Sequence, residues 1–377
     1  MARLLFLASR DLAHPQAAGG DVTMYHVASR LASDGHEVRY ICSGLPGMGR
    51  DDQRDGMRIM RVGNLFTTSP RFLLSAWMSA REWADGIVEE VVGGLRVPYL
   101  SPWFADLPRI CFWYQRNRLL FTTQYGPLLG RVLSRFEKTV ASLYDDAMIL
   151  TLSEASRRDL VDLGLPAERI LVFQPGIDES LLRLAQTNGG SREQLLVTIG
   201  KVRKYKCLHH AIQVMAQLRE LGISDAHLII AGRNEDENYR RHMLVLAKEL
   251  GVSASVDIET DITEERKAEL LHRAKLLLIM SPLEGFGITA VEANLFGVPV
   301  IGTTGVPSDV IQEGRTGYRV PFGDIKAFAR VSARLLSDDI EWRSLSIQAS
   351  EYGKRFTWDT ALDTVRSALS QLGLGPR

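Results

Sequence analysis

Two glutamates, Glu284 and Glu292, stand in the stretch LEGFGITAVEANLFGVPVIG, separated by an apolar, glycine-containing spacer. An ionised carboxylate only accepts hydrogen bonds, so a pair of them suits a hydroxyl-rich ligand. Upstream, IGKVRKYK sets Lys201, Arg203, Lys204 and Lys206 just after the apolar run QLLVTIG. Taken singly, these cations read as a solvated loop, since most lysines and arginines are exposed. The glutamate pair is harder to dismiss. If a helix begins near Phe286, its first free N–H groups belong to Gly287, Ile288 and Thr289, and they carry the partial positive charge that holds phosphate. Glycine at 285 and 287 lets that backbone approach a ligand closely. At 1.5 Å per residue the two carboxylates lie roughly 10–12 Å apart along the axis. That matches the span from sugar to ribose in a nucleotide sugar whose diphosphate crosses the helix end.

Elements must hold these groups in place. Short apolar, β-branched runs alternate with amphipathic stretches, the pattern of a parallel sheet covered by helices on both faces. The first half offers strands at RLLFLAS, EVRYICS, MRIMRV, RICFWY, AMILTLS and RILVFQ. The second restarts with QLLVTIG, AHLIIAG, SVDIET, KLLLIMS and VPVIGT. Between the first two strands, Val22, Tyr25, Val27, Ala28 and Leu31 give helical spacing, and Gly35 supplies the stop. Helical spacing also recurs at Ala361, Val365 and Leu369, and RFLLSAWMSAREWADGIVEEV reads as a helical stretch. A polar segment with Asn188, Gly189 and Gly190 suits an interdomain linker. The expectation is an α/β protein with two Rossmann-like doubly wound domains facing across a cleft. Such sheets bind ligands at the carboxyl ends of their strands. Gly19 and Gly20, Gly200, Gly232 and the EGFG segment all follow strands in this reading, although a glycine pair there reads equally as a tight turn.

Composition limits the function. Forty-five basic residues balance forty-five acidic ones in 377, so no global charge draws the chain to nucleic acid. Cys42, Cys111 and Cys207 are far apart and lack CxxC spacing, which predicts reduced thiols and a cytoplasmic setting. MARLLFLASR has too short an apolar core for a signal peptide and reads as a buried first strand. No apolar run approaches the length of a membrane span. No GxGxxG follows a strand, which argues against a dehydrogenase.

Against this background, EGFGITAVEANLFGVPVI resembles the E-x7-E segment of retaining GT-B glycosyltransferases, particularly family 4, whose text runs close to EGFGLPVLEAMACGVPVI. IGKVRKYKCLHHAIQVM, LIIAGRNEDENYRRHMLVLAKELGV and LSEASRRDLVDLGLPAERILVFQPGID are similar, in order, to the family's GRL-x-x-x-KG, AG-x-G and SE…PNGVD stretches. The resemblance implies an amino-terminal acceptor-binding domain over 1–187, a nucleotide-sugar-binding domain over 188–356, and a last helix over 357–377 returning to the first domain. It implies that Glu284 binds donor-sugar hydroxyls, with Lys201 and Lys206 neutralising the diphosphate, as the catalytic set. Gly19, Gly20, Arg203, Gly232, Gly285, Phe286, Gly287, Ile288, Thr289 and Glu292 would bind the donor, Glu292 at its ribose. Transfer would proceed with retention, with no metal or resident cofactor, the nucleotide-diphosphate sugar being a co-substrate. The acceptor would be a hydroxyl-bearing glycan, glycolipid or secondary metabolite.

Three positions depart from the family pattern. Arginine is usual at Lys201, glycine at Cys207, and a histidine follows the strand where Tyr114 and Gln115 stand here; those two become the acceptor-site candidates. Two rivals stay open: an epimerase or hydrolase acting on nucleotide sugars, and an inactive partner subunit on the same fold. The segment Arg109 to Lys138 mixes basic and aromatic residues. It suits a lipid-linked acceptor at an anionic membrane surface, which would make the protein peripheral at the inner membrane, or a soluble anionic acceptor. The preferred reading is plainer: a helix whose apolar face, Leu129, Val132, Leu133 and Phe136, packs in the core.

Overall fold

Burial of alternating apolar strands dictates the architecture. The computed structural model describes residues 1–377 except 16, 18, 64–69, 92–98, 117, 187–191 and 376–377, and the side chains of 118–120, 123 and 124 are not described either. The chain forms two compact units, one of Met1–Pro175 with Asp359–Arg377 and one of Gly176–Trp358. Each is α/β with a largely parallel sheet.

The first unit contains β1 (Arg3–Leu7), α1 (Gly19–Ser33), β2 (Glu37–Cys42), β3 (Asp51–Arg54), β4 (Met57–Arg61), α2 (Pro70–Glu82) and β5 (Gly86–Glu90). It continues through β6 (Arg109–Phe112), α3 (Arg118–Ala141), β7 (Met148–Thr151), α4 (Glu154–Leu163) and β8 (Ile170–Val172). The sheet runs β3-β4-β2-β1-β5-β6-β7-β8, parallel except for the β3–β4 hairpin, which turns through Asp55 and Gly56 at positive φ. Strand order reverses between β1 and β5, so the crevice of this sheet opens at their carboxyl ends.

RFLLSAWMSAREWADGIVEEV is not one helix. It splits into α2 and the central strand β5, whose five residues are all buried between β1 and β6. Asp85 ends the helical run by accepting the backbone N–H of Arg3 at 2.8 Å, which ties the entry of β5 to β1. Two consecutive glutamates disguised the strand, because strands with both faces covered are normally apolar.

The second unit contains α5 (Glu179–Ala185), β9 (Leu195–Ile199), α6 (His209–Glu220), β10 (His227–Gly232), α7 (Glu237–Glu249), β11 (Val256–Thr260) and α8 (Glu264–Arg273). Then follow β12 (Leu276–Ile279), α9 (Ile288–Leu295), β13 (Val300–Thr303), β14 (Gly317–Val320), α10 (Ile325–Ser337) and α11 (Asp339–Gly353). Its sheet runs β11-β10-β9-β12-β13-β14, all parallel, and reverses order between β9 and β12. The last helix, α12 (Trp358–Gln371), belongs to the first unit from Asp359 on, where Arg366 grips Asp34 at 2.9 and 3.0 Å.

The break between units falls at Pro175–Gly176, ahead of the expected 187/188 boundary. Helix α5 lies on the second unit because it packs against α8, where His272 Nε2 meets the Leu184 carbonyl at 3.0 Å. The expected linker residues Asn188, Gly189 and Gly190 lie outside the described residues.

Candidate active site

In the second unit the two loops at the reversal point carry the residues singled out by chemistry. One follows β9 and holds Lys201 to Lys206; the other follows β12 and holds Ser281 to Gly287. They meet directly, for Lys206 Nζ donates to Glu284 Oε1 at 2.5 Å and the Ser281 hydroxyl donates to the same oxygen. Both side chains of the ion pair are largely buried. Burial works against the Lys206 ammonium, but the Glu284 carboxylate, with Tyr205, outweighs it and holds the Lys206 pKa above its ordinary value.

The loop after β12 owes its path to a glycine in the turn that follows β13. Glu284 donates its N–H to the Gly305 carbonyl at 3.0 Å, and a Cβ on Gly305 would sit 1.9 Å from the Pro282 carbonyl oxygen. Thr303 Oγ1 reinforces the contact by donating to the Ser281 carbonyl at 2.6 Å. Helix α9 begins at Ile288, two residues later than expected, with Gly287 as its N-cap at φ 91 and no side chain capping it. The left-handed Gly287 keeps Phe286 out of the helix, and the Phe286 ring is buried with Phe356 at 5.9 Å between centroids. The N–H of Ala290 is bonded to the Gly287 carbonyl, which leaves Ile288 and Thr289 as the forward-facing donors of the first turn.

The other donor-side residues fall into two further clusters. Lys201 and Arg203 converge on Glu235, at 2.9 and 3.3 Å. Their strand extends β9 alongside the segment after β10, through the Val202 N–H to Arg233 carbonyl bond of 2.8 Å. Burial raises the Glu235 carboxyl, yet the hydrogen bond from Lys201 and the charges of Lys201 and Arg203 hold it below the usual range. Gly232 sits at this crossing with φ 145, and a Cβ there would lie 1.9 Å from the Gly200 carbonyl oxygen, so close backbone approach explains the glycine. Glu292 pairs with Lys267 of α8 at 2.9 Å, and Lys267 also meets Glu264 at 2.8 Å. Burial raises the Glu292 carboxyl despite Lys267.

Cys207 adopts φ 52, the left-handed region that favours glycine.

In the first unit, Gly19 and Gly20 are the first residues of α1, at the carboxyl end of β1. A Cβ on Gly20 would come within 2.7 Å of Glu90 Oε1 and 2.9 Å of Tyr114 Cε2, while Gly19 has open space. Tyr114 donates its hydroxyl to the Gly20 carbonyl at 3.1 Å, and burial, then Glu90, pushes its pKa up. Gln115 is half-buried beside it. Glu90 itself, at the carboxyl end of β5, accepts from Ser9 Oγ at 2.9 Å. The crevice therefore holds a buried carboxylate that sequence reasoning missed with its strand. Among the described residues no three His, Cys, Asp or Glu side chains group so as to hold a metal ion.

Comparison with known proteins also falls into two parts. The family model for glycosyl transferases group 1 matches residues 184–356, and that for Glycosyltransferase Family 4 matches residues 17–181. The N-acetyl-alpha-D-glucosaminyl L-malate synthase of Bacillus anthracis is 27% identical over 358 residues, 90% of either chain. The D-inositol 3-phosphate glycosyltransferase of Nocardia farcinica is 26% identical over 60% of this chain, a match that spans about half (51%) of that relative. Among solved structures, sucrose-phosphate synthase from Thermosynechococcus elongatus superposes with a TM-score of 0.79 at 20% identity, covering 98% of this chain and 99% of that one. Anabaena HepE in complex with UDP and glucose gives 0.75 at 16% identity, with 98% and 100% covered. These likenesses carry the GT-B fold.

Proposed function

Because the chain belongs to the group 1, family 4 glycosyltransferases, we propose that it moves a hexose-type sugar from a nucleotide-diphosphate sugar to an acceptor hydroxyl with retention of configuration. The observation that carries this reading is the Lys206–Glu284 pair set beside the amino end of α9. An ammonium and free helix N–H groups suit a diphosphate, and an adjacent carboxylate suits sugar hydroxyls. Lys206, Lys201 and Arg203 take the phosphate charge in this reading, with the Ile288 and Thr289 N–H groups, and no metal is assigned a role. Glu284 and the Gly285–Ile288 backbone hold the hexose, and Glu292 holds the ribose. Tyr114 and Gln115 line the acceptor side.

Bond by bond, the glycosyl–phosphate bond breaks with its electron pair going to the phosphate oxygen. The acceptor oxygen then bonds to the same face of the sugar carbon, and its proton passes to the departing phosphate. Charge develops on that phosphate in the transition state, so preorganised donors aimed at it lower the barrier. No enzymic nucleophile is needed. The acceptor is a hydroxyl-bearing glycan, glycolipid or secondary metabolite.

The test is nucleotide release from a panel of nucleotide sugars, with and without acceptors of those three kinds. Acceptor-dependent release that vanishes in Glu284→Ala, with the variant still folded by circular dichroism, is the expected result. Nucleotide binding without release from any donor would instead favour an inactive partner subunit, and release independent of acceptor a hydrolase.

A further inference from the structure

Helices α2 and α3 each turn an apolar stripe outward. On α3 the break at Gly126 (φ 81, ψ 168) restarts the helix at Pro127, and from there Leu128 is 78% exposed, Val132 57% and Phe136 48%, with Leu129 exposed between them. Core packing of this face, the reading preferred from sequence, is therefore overturned. The residues that do pack inward are Val140 and Ala141, against Cys111 and Ile149. On α2, Phe72, Ala76 and Ala80 pack inward and leave Leu73, Leu74, Trp77 and Met78 exposed.

The two stripes lie on one side of the first unit. Strand side chains alternate between faces, and partners in a parallel ladder share a face. Leu5 pairs with Ile87, Leu7 with Glu89, Glu89 with Cys111, and Cys111 with Ile149. Helix α2 packs on Leu5, Leu7 and Ile87, and α3 on Cys111 and Ile149, so both helices cover the same face of the sheet. Between them in sequence, the turn Ser101–Trp103 exposes Trp103 at 71%, while Phe104 packs on the α2 cluster.

Charge around the apolar residues is predominantly of one sign. Arg71 and Arg81 are exposed on α2, the Arg81 guanidinium lying over the Trp77 ring at 5.5 Å, and Arg131, Arg135 and Lys138 are exposed on α3. The two helices contain only two acids, Glu82 and Glu137, and Glu137 is buried. Large apolar side chains exposed in a cluster, unlike single scattered ones, mark an interaction surface. Leu, Trp and Phe beside Arg and Lys is the pattern of helices that lie in a membrane interface, their apolar faces sunk roughly 5–10 Å into the headgroup boundary. Among the described residues no helix is long and apolar enough to cross a membrane, so the contact is peripheral.

We propose that the outward faces of α2 and α3, with Trp103, form a docking surface for an anionic phospholipid bilayer. The apolar side chains insert and the five cations meet the lipid phosphates. This assignment does not depend on which sugar is transferred, because binding is read without turnover.

Flotation of the full chain with phosphatidylcholine vesicles, with and without phosphatidylglycerol, tests it. Binding that requires phosphatidylglycerol and weakens with salt is expected. Leu74→Glu combined with Val132→Glu abolishes binding to the phosphatidylglycerol-containing vesicles. The set Arg71→Gln, Arg81→Gln, Arg131→Gln and Arg135→Gln lowers affinity for anionic vesicles on the order of fivefold per cation removed. All these sites are exposed, so thermal midpoints stay at the parent value and certify the fold. No binding by the parent overturns the proposal. So does a concentration-dependent dimer that the Leu74→Glu, Val132→Glu variant dissolves, for the face would then join two copies of the chain.

Discussion

Substituting Lys206 and Glu284 singly and together separates the stability of the pair from its chemistry. Lys206→Met leaves the Glu284 carboxylate with only the Ser281 hydroxyl, and Glu284→Gln leaves the ammonium facing an amide. Each side chain is largely out of water, at 19% and 15% exposure, so stranding either charge costs about 3 kcal/mol. The double variant buries no charge and recovers most of that loss. Activity follows a different arithmetic. Losing one preorganised donor costs on the order of 2.7–4 kcal/mol of transition-state stabilisation, or about 10²–10³ in kcat, and the double variant regains none of it. Denaturant unfolding gives the first quantity and nucleotide release under saturating donor and acceptor gives the second. Lys206's raised pKa fixes the pH course. The stabilisation is complete below the ordinary lysine value of 10.5 and disappears only as pH climbs through the higher folded value, so neutral assays see the full effect. A double variant with parental turnover refutes the chemical role, and single variants as stable as the parent refute the buried pair.

Three other perturbations follow from the geometry. Gly20→Ala drives a methyl into Glu90 and Tyr114, and should cost about 1–3 kcal/mol by thermal unfolding while raising the KM for donor, the ligand assigned to Gly20, as well as that for acceptor. Glu89, buried beneath β5 with Ser101 and Cys111, has its carboxyl pushed up from 4.5 to about 7 by desolvation. The stability it contributes is fully present below 4.5 and is lost as pH rises through 7, so Glu89→Gln should remove that decline and gain up to about 3 kcal/mol at pH 8, read from melts at pH 5 and pH 8. Cys207→Gly relieves a left-handed backbone and should stabilise the chain by about 1 kcal/mol in denaturant melts, with turnover unchanged.

Periodicity and glycine placement made most of the fold legible. The apolar runs that became β1, β10 and β12 are uninterrupted, and α1 shows its buried stripe directly in the text. Where polar residues enter a strand the signal failed. GIVEE carries two carboxylates into the centre of a sheet, and the four-residue strands β3 and β14 are too short and polar to show alternation. The site was half visible. The types and spacing of Lys206, Glu284 and the glycines near α9 announced a polar loop at a helix end. Glu235, Lys267 and Gly305 were hidden because their relevance comes only from pairing across the sheet: Lys267 and Glu292 are 25 positions apart, joined by packing and not by local pattern. The outward stripe of α3 shows the converse, since helical periodicity reports that a face is apolar without saying what covers it.

The second unit begins and ends at one spot. The Ile177 N–H bonds the Phe356 carbonyl at 3.0 Å, and Gly176 lies so close to Trp358 that a Cβ would fall 2.3 Å from its nitrogen. Topologically, then, residues 176–358 are an insertion whose two ends are already spliced together. Circular permutation of that segment should be tolerated through a short linker.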